Sequence, residues 1–297
     1  MGEGNAIVGQ SGGPTSVINA SLAGVVETSV KSKKIGRVFG MRFGIEGVLN
    51  NYLLDLGAEE KDTLRGLRTT PSSALGSSRL KLQEEHLGTI LKRLKAYNVR
   101  HLFMIGGNDT MDTIHRIVEY AGQHGYELNG IGISKTVDND LFGVDHTPGY
   151  PSAARYVALS ILQGGLLARD MQKVDQFTIF QTVGRSAGWL PAAAACAKRS
   201  PADAPHIILF PERPFDREAF FDAVAKAHKR YGFVSIIRQC RIRRDGDDRT
   251  SLEARRAVSV SEHVRHDPAE KTGRVELGAW QDRGNSLCSA STFSVVG

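Results

Sequence analysis

Short apolar runs alternate with amphipathic stretches along most of this chain. Ala6-Ile7-Val8, Val38 to Met41, Val99 to Ile105 and Gly130 to Ile133 have the length and content of strands. Between them, Val17 to about Lys31 carries a helical pattern. Leu82 to about Asn98 places Leu87, Ile90, Leu91 and Leu94 on one face, and Ile114 to Gly122 continues in the same period. A second series begins near Thr147. It predicts a long helix over 152–169, a strand over 175–181, a glycine turn at Gly184 and a helix through Ala197. A buried strand over 206–210, a helix over 217–231 and a strand over 233–237 follow. Strands alternating with helices predict a parallel, doubly wound sheet. After Ile237 the pattern degrades: Arg238 to Pro268 has little apolar periodicity, and Ser286 to Gly297 is a small polar tail.

Composition changes this picture little. With 297 residues, 41% hydrophobic and 24% charged, the chain is long enough for one large or two ordinary domains. Its apolar runs fall short of a membrane span, and Met1 to Asn5 lacks the pattern of a signal peptide. Cys196, Cys240 and Cys288 are too scattered for a metal motif or a disulfide framework, which suits the cytoplasm. The net charge of +6 would fit a nucleic-acid binder. However, Lys229 to Arg256 alone holds nine basic and four acidic residues, so the excess is local and has no interleaved aromatics after Phe233. No nucleic-acid or membrane partner is expected.

Chemistry collects where strands end. Gly12-Gly13 follows the first strand and Gly106-Gly107-Asn108-Asp109-Thr110 the third. Glycine turns at strand–helix junctions bring backbone N–H groups close to an anion, although such turns are also glycine-rich for local reasons. Asp109 beside those donors is unusual for a phosphate site. A Mg²⁺ ion between carboxylate and phosphate would explain it, as would exclusion of a larger nucleotide. Ser134 to Asp140 packs a cation, a hydroxyl and two carboxylates into seven residues. In extended geometry Thr136, Asp138 and Asp140 would share a face. One carboxylate could then take a proton, the other hold the metal, and Lys135 neutralise a transferring phosphoryl group. A solvated Asp-Asn-Asp turn is the alternative. Arg185, in the run Gln181 to Trp189, is a fork for a phosphate or sugar hydroxyls, or an Arg on a helix's first turn. Arg79 ends the small-residue stretch Leu75-Gly76-Ser77-Ser78. Neither a P-loop nor a G-x-G-x-x-G pattern is present.

Six strings together resemble the phosphofructokinase family, in its order and spacing over about residues 6 to 237: GQSGGPTSVINASLAGV, ALGSSRLKL, IGGNDTMDT, SKTVDNDL, DHTPGYPSAARYVA and QTVGRSAGWL. The resemblance implies two Rossmann-like three-layer α/β domains with mainly parallel sheets and an active site in the cleft between them. It places a phosphoryl-donor domain at 1–146, a sugar-phosphate domain at 147–260 and an atypical, truncated segment at 261–297. The family's ATP users carry glycine at the positions of Asp109 and Lys135. The pair found here looks like the pyrophosphate-dependent branch, since Asp109 would crowd a nucleoside and Lys135 could pair with pyrophosphate oxygens.

The implied reaction moves a phosphoryl group reversibly from pyrophosphate to the C1 hydroxyl of fructose 6-phosphate, with Mg²⁺. Asp138 is then the base, with Lys135 and Arg79 the other catalytic residues. Gly12, Asp109, Thr136, Val137, Val183, Gly184 and Arg185 bind substrates, and Asn108 and Asp140 take the metal positions. A homo-oligomer, dimer or tetramer, is also implied. The chain departs from the family at Arg238-Gln239-Cys240-Arg241, where an acidic sugar-binding run is expected, and Leu277 to Gly284 only faintly echoes a later one. A reading-frame slip or a decayed gene copy would leave such a change. Two other readings stay open: ATP use, and an impaired subunit that partners an active homologue.

Overall fold

The computed structural model describes residues 4–240. They divide after Pro151 into two compact units, rather than after residue 146. The segment 147–149 stays with the first unit because it pairs back onto Thr136.

The first unit is built on β1 (Gly4–Gln10), β2 (Ile35–Met41), β3 (Leu53–Asp55), β4 (Val99–Gly106) and β5 (Asn129–Ser134), in the order β3-β2-β1-β4-β5. All neighbours are parallel except β2 and β3. Period-2 alternation sorts the core. Ile7 joins Phe39, Met41, Leu102 and Met104 on one face, whereas Ala6 and Val8 join Val38 and Ile105 on the other. Helices cover both faces. Leu87, Ile90, Leu91 and Leu94 of α4 (Glu84–Ala96) and Ile114 and Ile117 of α5 (Asn108–Gln123) pack on the first. Ile18, Leu22 and Val26 of α1 (Ile18–Lys31) and Leu64 of α3 (Lys61–Leu67) pack on the second.

Three elements between β2 and α4 escape the sequence pattern: α2 (Ile45–Leu49), β3 and α3. At five, three and seven residues they are too short to show a period. Helix α5 also begins six residues before the expected Ile114, because its first turn is polar.

Two glycines seat α5 low on the sheet. A Cβ on Gly130 would lie 2.7 Å from Ile114 Cγ2, and one on Gly132 3.3 Å from Ile114 Cδ1. Close packing also governs the end of β4, where a Cβ on Gly106 would lie 2.5 Å from Thr110 Cβ. Gly106→Ala is therefore expected to destabilise the chain by about 1–3 kcal/mol through overpacking. A urea midpoint equal to that of the parent chain would refute this.

The second unit holds most of α6 (Tyr150–Asp170) and a parallel sheet of order β6-β8-β7, from β6 (Phe177–Thr182), β7 (Ile207–Leu209) and β8 (Val234–Gln239). Helix α8 (Arg217–Tyr231) packs Phe220 and Val224 against Val234 and Ile236. Its ends match the sequence expectation because both are chemically marked. The Asp216 carboxylate accepts from Ala219 N (3.0 Å), and Gly232 closes the helix at φ +79°.

Three expectations need correction. β7 is half-buried, as befits an edge strand, and shorter than 206–210. The helix expected through Ala197 is α7 (Trp189–Ala193) followed by a 3₁₀ turn. β8 does not stop at Ile237 but carries Arg238 and Gln239 in register with Gln181 and Thr182. The atypical segment 261–297 and the altered run from Arg241 onward lie outside the described residues.

Candidate active site

Strand order places the site in the first unit. The chain leaves β1 toward β2 on one side and leaves β4 toward β5 on the other, so direction reverses between the adjacent strands β1 and β4. Connecting segments diverge there and leave a crevice beyond the carboxyl ends of the strands. The loops after β1, β4 and β5 all open at that end.

The loop after β1 turns at Gly12, whose φ of +75° suits glycine. Gly12 N donates to Ser78 O (3.3 Å), and Ser77 Oγ donates to Gly12 O. This fastens the turn to the stretch that ends in Arg79. From the β5 side, Lys135 N donates to Gly106 O (2.9 Å), and Lys135 Nζ donates to Gly13 O (2.7 Å). A Cβ on Gly12 would stand 3.2 Å from that Nζ. Gly107 faces the same segment, its missing Cβ 3.9 Å from Thr136 Cβ. Gly12, Gly107, Lys135 and Thr136 are thus brought together.

Lys135 is 3% exposed. Burial lowers its pKa to about 8, with Asp138 opposing that shift and Arg79 adding to it. Both groups therefore lie within electrostatic reach. Among the described residues its hydrogen-bond partner is Gly13 O, so two of its three donors remain for a ligand. A largely desolvated ammonium beside a left-handed glycine turn, with a guanidinium near, is suited to a compact polyanion.

The segment after Lys135 is not extended, so Thr136, Asp138 and Asp140 do not alternate on one face. Asn139 turns at φ +55° and buries its side chain, whereas Asp140 is exposed. Asn139 Oδ1 accepts from Thr147 N (2.8 Å), and that contact bends the chain. Asp138 and Val137 are half-buried, and Asp138 N donates to Thr136 Oγ1 (3.1 Å).

Asn108 and Asp109 form the exposed first turn of α5. Its N-cap, Gly107, has no side chain to cap the turn; its carbonyl accepts from Thr110 N (3.0 Å), which leaves the N–H groups of Asn108 and Asp109 to face an anion. Among the described residues no three His, Cys, Asp or Glu side chains cluster as a metal cage. The oxygen donors of Asn108, Asp109 and Asp140 still suit a hard divalent cation, which binds through one or two carboxylates together with phosphate oxygens and water.

Sequence reasoning missed Gln10 and Asn19, which are fully buried. Gln10 Nε2 donates to Asn19 Oδ1 (2.8 Å), Gln10 Oε1 accepts from Leu75 N (3.0 Å), and Asn19 Oδ1 accepts from Ala74 N (2.8 Å). The pair fixes the loop that leads to Arg79. A polar side chain at the end of an otherwise apolar strand was the available signal.

Val183, Gly184 and Arg185 belong to the second unit. Gly184 turns at φ +111° after β6, and Arg185 is exposed in the loop before α7, not on a helix's first turn. Buried Gln239 supports this loop by donating to Val183 O (3.3 Å), while Arg238 donates to Gln181 Oε1. Among the described residues no helix is long and apolar enough to cross a membrane.

Comparison with known proteins gives a consistent result. The family model described as Phosphofructokinase matches residues 5–292, past the altered run. A pyrophosphate–fructose 6-phosphate 1-phosphotransferase from Rhodospirillum rubrum is 42% identical over 232 residues, covering 78% of this chain and 57% of the relative. A sulfofructose kinase from Alkalicoccus urumqiensis is 36% identical, covering 77% and 59%. The crystal structure of a pyrophosphate-dependent phosphofructokinase from Marinobacter aquaeolei superimposes with a TM-score of 0.76 at 38% identity, over 82% of this chain and 62% of that one. The chain therefore spans under two thirds of the length of each of these relatives.

Proposed function

Because the chain belongs to the phosphofructokinase family, we propose that it transfers a phosphoryl group from pyrophosphate to the C1 hydroxyl of fructose 6-phosphate. The products are fructose 1,6-bisphosphate and phosphate, and the reaction is a reversible step of glycolysis. The observation that carries this reading is Lys135, buried against the Gly12–Gly13 turn with donors to spare.

Gly12 and the first turn of α5 lie along the donor, with Lys135 and Arg79 neutralising the charge on the transferred group. Asp138 accepts the hydroxyl proton as the C1 oxygen attacks phosphorus. The bridging P–O bond then breaks and phosphate leaves. Thr136 and Val137 flank the sugar, and Asp109 bars a nucleoside by bulk and charge. Val183, Gly184 and Arg185, in the second unit, are our candidates for binding the sugar phosphate. Phosphotransferases of this family work with a divalent metal. Magnesium would be held by Asn108 and Asp140 and would offset phosphate charge. A cytoplasmic homo-oligomer, dimer or tetramer, completes the reading.

A second acceptor has its own arm of the test, because one relative is named a sulfofructose kinase. Purified chain with magnesium is assayed with pyrophosphate or ATP against fructose 6-phosphate or sulfofructose. Turnover with pyrophosphate and fructose 6-phosphate, and none with ATP, is expected. Turnover with ATP alone would overturn the donor assignment, and turnover with sulfofructose alone the acceptor. Inactivity with every pair would leave the chain an impaired subunit.

A further inference from the structure

Fifteen residues from Lys135 to Gly149 carry Asp138 with no helix or named strand to hold them. What holds them is a closed set of polar contacts. Thr147 is fully buried, and its Oγ1 donates to Thr136 O (2.8 Å). Its backbone N donates to Asn139 Oδ1 (2.8 Å), and Asn139 Nδ2 donates to Asp145 O (3.1 Å). Behind them Thr136 bridges to Gly149, which at φ +110° lies against Thr15. Asp138 sits between the two clamped residues, 136 and 139. Buried polar groups are costly unless paired, and here each finds its partner inside the loop. A connection that only had to span from β5 to α6 could have used solvated side chains instead.

We propose that Asn139 and Thr147 are positioning residues, which clamp the loop at Thr136 and Asn139 and thereby fix the Asp138 carboxylate for proton abstraction. This rests on the reading of Asp138 as the base. The clamp's hydrogen bonds run to Thr136 O and Asp145 O and do not involve Gly12, Lys135 or Arg79.

The test compares the parent chain with Thr147→Val, which removes the hydroxyl at constant shape, Thr147→Ser, which keeps it, and Asn139→Gly, which tolerates the left-handed backbone but loses the amide. Turnover, pyrophosphate affinity by calorimetry and the titration of Lys135 by NMR are measured for each. Displacing a reacting group by about 1 Å costs on the order of 100-fold. Thr147→Val and Asn139→Gly should therefore lose roughly 10- to 100-fold in kcat while pyrophosphate affinity stays within about twofold. Thr147→Ser should recover most of the rate. In Thr147→Val the Lys135 midpoint should fall below about 8, because the nearby carboxylate that opposes its depression has drifted.

The last readout needs no turnover. If the parent chain is inactive, the functional reading fails and the Lys135 titration decides the clamp by itself. Parent-like kcat in Thr147→Val, equal losses in Thr147→Ser and Thr147→Val, or an unmoved Lys135 midpoint would each overturn the proposal.

Discussion

Asp138→Asn is expected to lower kcat by roughly 10²–10⁴-fold, the usual yield of a positioned general base, while pyrophosphate binds at least as tightly as before. The amide is isosteric with the carboxylate. The backbone bond from residue 138 to Thr136 Oγ1 therefore survives, and the loss falls on the proton transfer. Removing the charge also removes the carboxylate that opposes the depression of the Lys135 pKa. The donor, now the main anion near that ammonium, gains importance for it. Stopped-flow or coupled assays give kcat, and calorimetry gives the affinity. If kcat falls less than about tenfold, Asp138 is not the base. If affinity collapses with kcat, the carboxylate is a structural partner of Lys135 instead.

Lys135→Met should move stability and activity in opposite directions. In the folded chain the ammonium has a pKa of about 8 against an ordinary 10.5. Keeping it charged at neutral pH therefore costs about 3 kcal/mol. Methionine fills a similar volume without that cost, and the Gly13 carbonyl it abandons is at an exposed residue. The variant should melt higher, by roughly 2–4 °C for each kcal/mol recovered, yet lose donor binding and turnover.

The pH dependence follows from the same values. Between about 8 and 10.5 the unfolded lysine still holds its proton while the folded one has lost it, so the stability of the parent chain rises with pH across that window. The methionine variant should lack that rise. Pyrophosphate affinity in the parent chain should run the other way and weaken above pH 8, as the ammonium is lost. Identical pH profiles of urea midpoint for the two proteins would show that Lys135 carries no such cost.

Much of this was legible in the sequence because it is written in local signals. The strands β1, β4 and β5 are apolar runs, α8 is marked at both ends by Asp216 and Gly232, and Gly12, Asn108 and Asp109 sit in or beside glycine turns directly after strands. What was not legible depends on contacts far apart in the chain. Gln10 and Asn19 hold residues 74 and 75, more than 50 positions away. The true path of Thr136 to Asp140 is decided by Thr147, because an Asn side chain that captures a backbone N–H overrides the extended alternation expected of residues following a strand. The elements α2, β3 and α3 carry too few residues for periodicity to declare them. Strand β8 outran its apolar run because Arg238 and Gln239 find polar partners on the β6 side, at Gln181 and Val183.

The two small residues beneath α5 have a wider meaning. Gly130 and Gly132 let Ile114 settle onto β5, so the height of the whole helix, and with it the lateral placement of Asn108 and Asp109 at its tip, is set some twenty residues downstream. On the proposal that Asp109 excludes a nucleoside, donor choice is then epistatic. The same aspartate grafted into a relative with bulkier residues on this strand would ride on a helix lifted away from the crevice, and its effect there would not carry over.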